Sequence, residues 1–104
     1  MQNNTMELKT FMELLKSKFD LLEKGEFEKA TLFIRTKYID YIALGKIKEV
    51  EQKKYGEYDG LDFDYFSIYN DTIKELKYAQ ANKYFKDSFV FILKDDTKIE
   101  IHFH

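Results

Sequence analysis

The 104 residues contain no cysteine, which excludes disulfide frameworks, thiolate zinc sites, iron–sulfur clusters and cysteine nucleophiles. Proline and tryptophan are also missing. Only four glycines occur, each isolated, so no glycine-rich loop of the Gly-x-Gly-x-x-Gly or Gly-x-x-x-x-Gly-Lys type is present to cradle phosphates. Arg35 is the single arginine, and the other basic residues are lysines. Arginine's planar fork is the usual reader of phosphates and guanine edges. With 17 basic against 19 acidic residues and a net charge of −2, direct nucleic-acid binding is not expected. No apolar run approaches the ~20 residues of a membrane span, and the N-terminal MQNNTMELK has no signal-peptide core. A cytosolic protein with no membrane partner is the expectation.

What remains is ample for one packed domain, residues 1–104: 44% of the chain is hydrophobic and 35% charged, without repeats or low-complexity linkers. From Thr5 to about Lys24, Leu8, Phe11, Met12, Leu15, Phe19 and Leu22 recur at steps of three and four, one face of an amphipathic helix. Asn4 with Glu7 offers an N-terminal cap, and Gly25 a left-handed stop. Over Glu26–Leu44, Phe27, Ala30, Ile34, Tyr38 and Tyr41 keep helical spacing up to Gly45, although Thr31-Leu32-Phe33-Ile34 and Tyr38-Ile39-Asp40-Tyr41-Ile42 favour strand. The two bracketing glycines and the length favour a helix, and hence an αα-hairpin. Ile47 to Gln52 reads equally as a short strand or a helical extension.

Further on, Leu61, Phe63 and Tyr65 alternate with Asp62 and Asp64 as in a strand, and Thr72 with Glu75 forms a capping-box pair opening a helix near 72–85 through Ile73, Leu76 and Tyr84. At the C-terminus, Phe89, Phe91 and Leu93 alternate, Asp95-Asp96-Thr97 turn the chain, and Ile99, Ile101 and Phe103 alternate again, a hairpin over 88–94 and 98–104. The expected class is therefore α+β: an N-terminal helical hairpin, a further helix and a small antiparallel sheet.

Three constellations bear on chemistry. Glu100, His102 and His104 share one face of the last strand, where two imidazoles and a carboxylate could hold a metal; the same spacing arises on any solvated strand face, which is the expected reading. Asp59, Asp62 and Asp64 lack the spacing, glycine and terminal glutamate of a calcium loop, and are read as solvated acids. Ser17, Ser67 and Ser88 lie in no nucleophile elbow. Neither catalysis nor a cofactor or metal is expected.

The segment from Tyr55 to Asp71 is the unusual one. Between Tyr55 and Asp71 stand five acids (Glu57, Asp59, Asp62, Asp64, Asp71), no lysine or arginine, and six aromatics. Against a whole-chain charge of −2, this segment's −5 leaves +3 for the rest. Tyrosine and phenylalanine give large contact area at low entropic cost, and surrounding carboxylates steer association with a cationic partner. Tyr55, Glu57, Tyr58, Asp59, Asp62, Asp64, Tyr65 and Tyr69 form the candidate partner-binding set. The bland alternative is a core strand whose aspartates face water.

Leu21-Leu22-Glu23-Lys24-Gly25-Glu26-Phe27-Glu28-Lys29-Ala30 resembles the helix-to-helix junction that opens many small NTF2-like cone folds. That resemblance implies a ligand-binding or enzymatic pocket in a cone-like α+β domain, and no site residues are carried over from it. The leading expectation is a non-enzymatic inhibitor that covers a basic protein surface, such as a nuclease or toxin, in the manner of bacterial immunity proteins or phage anti-defence proteins. A protein that assembles with itself through strand edges is the third reading. The sequence leaves the oligomeric state open.

Overall fold

In the computed structural model, which describes residues 4–5, 7–80, 83 and 86–104, α1 spans Leu8–Glu23 and buries Phe11, Met12, Leu15 and Phe19, the stripe expected from the spacing. Its start differs from expectation. Glu7 holds the cap position without a side-chain cap bond, and Asn4 lies instead in β1 (Asn4–Thr5), opposite Tyr78. Its end is a Schellman motif: the Glu26 amide donates to the Leu21 carbonyl at 2.9 Å and the Gly25 amide to Leu22 at 3.1 Å, with Gly25 at φ +87°. A Cβ at Gly25 would meet nothing within 4 Å, so Gly25→Ala exposes the backbone term alone. Chemical denaturation should find a loss of about 1–2 kcal/mol. A loss under about 0.3 kcal/mol would contradict the left-handed stop.

Beyond Gly25 the helical hairpin does not form. Residues 26–44 hold β2 (Ala30–Arg35) and most of β3 (Ile42–Lys46), an antiparallel pair, so neither the second helix nor the helix-to-helix junction of the cone-fold resemblance is present among the described residues. The helical spacing there was a coincidence of short apolar runs: Tyr38 is 88% exposed, so it marks no buried stripe. Gly45 sits at φ +100° beside a register shift between Leu32 and Phe33; it serves a bulge, not a helix stop.

The chain continues through β4 (Val50–Tyr55), β5 (Tyr58–Phe63) and β6 (Ser67–Tyr69). Tyr65 therefore lies outside the strand expected to contain it, and Asp64 lies beyond its end. Next comes a single 3-10 turn over Asn70–Thr72, then β7 (Ile73–Gln80) where a helix was expected. The Thr72 hydroxyl donates to the Tyr69 carbonyl at 2.7 Å and caps no helix. The rest of that expected helix, with Tyr84, falls at 81, 82, 84 and 85, outside the described residues. Lys74, Glu75, Lys77 and Gln80 are good helix formers, but Leu76 and Tyr78 are buried two apart and pair with Phe91 and Phe89, and tertiary pairing overrides propensity. The chain ends in β8 (Asp87–Leu93) and β9 (Lys98–Phe103), the hairpin that the C-terminal alternation calls for, with Asp96 at φ +68° in its turn.

The strands form two antiparallel sheets. The larger has the order β1-β7-β8-β9-β2-β3, the smaller β4-β5-β6. The core lies between α1, one face of the larger sheet and the inner face of the smaller. Phe11 meets Phe89 and Phe91 edge-on at 5.3 and 5.0 Å, Phe19 meets Phe103 at 5.0 Å, and Phe63 of the small sheet reaches Phe91 at 5.4 Å. At the margin, the buried Tyr78 hydroxyl donates to Asp87, whose other oxygen faces Lys18 of α1 at 3.5 Å. Burial and that carboxylate push the Tyr78 phenol far above its ordinary value. Among the described residues no helix is long and apolar enough to cross a membrane.

Candidate functional site

The acidic aromatic segment folds into the small sheet. Alternation sends Leu61, Phe63 and Ile68 inward with Val50, and turns Tyr58, Gly60, Asp62, Ser67 and Tyr69 outward with Glu51 and Lys53. Gly60 pairs with Tyr69 and has no side chain. Beside it Tyr58 and Tyr69 approach to 5.3 Å between ring centroids while staying 54% and 49% exposed. Two large rings left half in water beside a bare glycine make the most conspicuous aromatic feature of this face. A cleft of about 530 Å³, open to solvent and lined by Tyr69, Ile68, Asp71 and Leu93 among others, adjoins it.

The aspartates divide by role. Asp64 accepts from the backbone amides of Lys48 and Glu49 at 3.0 and 3.1 Å, so it fixes the entry to β4. Asp62 meets the Lys53 ammonium at 2.9 Å and accepts from the Ser67 hydroxyl at 2.5 Å. Tyr65, 57% exposed, donates its hydroxyl to the Lys46 carbonyl at 2.6 Å and so ties the β5–β6 turn to β3. Glu57, Asp59 and Asp71 stand exposed. Tyr55 is placed by its backbone opposite Tyr58; its side chain lies outside the described residues. Of the eight sequence candidates, the fold thus gathers Tyr58, Asp62 and Tyr69 on one face, with Glu57 in the turn at its hairpin end. Asp59, exposed at that end, lies on the alternate side of the strand. The fold assigns Asp64 to internal support.

The solvated-face expectation for Glu100 and His102 is overturned: they are 8% and 9% exposed, on the large sheet's outer face. The same face carries Thr31 and Phe33 of β2 and Ser88 and Val90 of β8 as cross-strand neighbours. Arg35 closes over Glu100, Nε to Oε2 at 2.5 Å, and its guanidinium also lies 5.6 Å from the Tyr41 ring centre. Nε2 of His102 lies 3.0 Å from the other Glu100 oxygen; an ionised carboxylate only accepts, so Nε2 carries the hydrogen. Burial works to raise the Glu100 carboxyl, but the His102 hydrogen bond and the Arg35 charge outweigh it and hold it below the ordinary glutamate value. His104 turns to Thr31, Nε2 to Oγ1 at 2.9 Å. Among the described residues no group of three His, Asp or Glu side chains is arranged to hold a metal ion.

Sequence reasoning missed a second exposed apolar group, Tyr38, Ile39 and Tyr41 on the β2–β3 connection with Ile42 at the start of β3, because it placed them on a helix. Their strand-rich composition was the available signal. It also missed a cleft of about 750 Å³ between α1 and β4, which depends on two elements joined only in the fold. No family model, curated protein or solved structure matches this chain.

Proposed function

We propose that this chain is a protein-binding domain that covers a cationic surface of its partner with the outer face of the small sheet, as an inhibitor of the immunity or anti-defence type. The observation that carries the reading is the Tyr58–Tyr69 pair, two half-exposed rings beside Gly60, with Glu57 and Asp59 exposed at the end of the same hairpin. Exposed tyrosines are favoured anchors of protein interfaces, because they desolvate large area while losing little rotamer freedom. The neighbouring acids supply steering toward a basic surface. The two clefts described above are open to water, which favours a macromolecular partner over an enclosed small ligand.

The division of aspartate roles dictates the test. Reversing Asp62 or Asp64 would disturb the Lys53 pair or the β4 entry, so Glu57→Lys with Asp59→Lys is the clean charge reversal. On a partner captured from the native host, this double variant should slow association and remove most of its salt dependence. Tyr58→Ala with Tyr69→Ala should instead raise the dissociation rate, weakening binding by about tenfold or more, while circular dichroism and melting stay near wild type. A complex indifferent to both pairs of substitutions would assign the interface to another surface.

A further inference from the structure

We propose that the cleft between α1 and β4 takes an extended, lysine- or arginine-bearing segment of a partner protein, which adds as a strand to the free edge of β4. Val50, Glu51 and Gln52 of β4 line the cleft from the strand side, with Lys48 and Glu49 leading into the strand. Successive side chains on a strand point to opposite faces, so three consecutive strand residues line one cavity only along the strand's edge. From the helix side come Lys16, Phe19, Asp20 and Glu23, at the steps of one helical stripe. The cleft is therefore a groove between an edge strand and a helix running beside it, the arrangement in which strand addition recognises peptides.

The backbone is ready for it. β4 ends the order β4-β5-β6, and among the described residues nothing pairs with its other side. Tyr55 and Tyr58 close a hairpin with a two-residue loop, which makes them a hydrogen-bonded pair. Alternation from there points the Glu51 and Lys53 amides and carbonyls toward β5, and those of Val50 and Gln52 into the groove. Within the cleft β4 contributes Val50, Glu51 and Gln52, about 10 Å and room for roughly three residues of added strand, since the Lys48 and Glu49 amides are already taken by Asp64.

The side chains state the partner's chemistry. Phe19, Leu22 and Val50 give the groove an apolar floor, suited to one row of aliphatic side chains on the incoming strand. Asp20, Glu23, Glu49 and Glu51 set four carboxylates around it against two ammoniums, Lys16 and Lys48. A segment alternating basic and aliphatic residues satisfies both features; an acidic one meets repulsion. This groove follows the β4 edge and shares only Glu51 with the outer face that carries Tyr58 and Tyr69, so the inference does not depend on the function proposed above.

The probe is a short blocked peptide of alternating lysine and valine, titrated into the isotopically labelled protein and followed by amide NMR, with the alternating glutamate–valine peptide as control. The lysine peptide should shift the Val50 and Gln52 amides and slow their hydrogen exchange, and the glutamate peptide should leave them in place. Gln52→Pro removes a groove-facing N–H while sparing the β4–β5 ladder, since an edge strand tolerates proline on its open side. It should weaken lysine-peptide binding by about tenfold or more. Asp20→Lys with Glu23→Lys, on the exposed helix surface, should do the same and decides the matter if the proline variant unfolds. Tyr58→Ala should leave peptide binding unchanged. Equal response to both peptides, no response at Gln52, or unweakened binding by a folded Gln52→Pro protein would overturn the inference. So would a dimer that Gln52→Pro dissociates, which would assign the groove to a second copy of this chain.

Discussion

Phe11→Ala should lower the unfolding free energy by about 3–5 kcal/mol, the range for truncating a fully buried aromatic side chain. The ring has no solvent exposure and sits edge-on against Phe89 and Phe91, while Phe91 in turn touches Phe63 of the small sheet. The deletion thus opens a cavity where the helix meets both sheets, and lost transfer energy and lost packing add. A small domain holds about 5–15 kcal/mol in all, so the variant should melt far below wild type and lose a large part of its denaturant resistance. Tyr38→Ala, at a site 88% exposed, is the matched control and should change stability by no more than about 0.5 kcal/mol. Urea titration of the three proteins checks both numbers. A loss under about 1 kcal/mol at Phe11 would mean that the helix does not present this residue to the sheets.

Glu100→Gln should cost about 1–3 kcal/mol near neutral pH, because the His102 and Arg35 donors then face a neutral amide in a site largely shut from water. The lower part of that range is favoured by Arg35, whose half-exposed side chain can turn to solvent. The sign of the pH dependence follows from the direction of the shift. The folded carboxyl titrates below its ordinary 4.5, so the folded state favours the ionised form. This contribution is complete above the unfolded value and is lost as pH falls through the folded one. Wild type should therefore lose stability on acidification below about pH 4.5 faster than Glu100→Gln, and the gap between them should narrow. Parallel denaturation curves at neutral and acidic pH measure it. A gap that stays constant or widens toward acid would contradict the arrangement of Glu100.

Where the sequence was legible, one periodicity was the only reading open. Leu8 to Leu22 admits a helix and nothing else, and Phe89 to Phe103 alternates through a turn that Asp95 and Asp96 mark. Residues 26–44 and 72–85 were illegible for a physical reason. Phe27, Ala30 and Ile34 fit a helical step as well as a strand's edge, and the lysines, glutamate and glutamine after Thr72 are helix formers that become strand only because Phe89 and Phe91 wait beside them. The candidate face was legible in part. Composition pointed to the tyrosines and acids, but only the hairpin register brings Tyr58 beside Tyr69. Nothing in the residue order reveals that Asp64 is occupied with the amides of Lys48 and Glu49. Glu100 and His102 carried a pattern that suits a wet strand face, and Arg35, about sixty-five positions earlier in the chain, is what helps to cover them.

The central claim is that Tyr58 and its neighbours meet a basic protein surface. Photo-crosslinking tests it most directly: a photoreactive phenylalanine analogue is placed at position 58 and, as control, at exposed position 98 on the other sheet, and each protein is irradiated in extract of the native host. A discrete adduct is expected at position 58, to a protein with a basic surface, fading as salt approaches about 1 M, where charges are screened within roughly 3 Å. Adducts at position 98 but not at 58, or an adduct at 58 that salt leaves untouched, would contradict it.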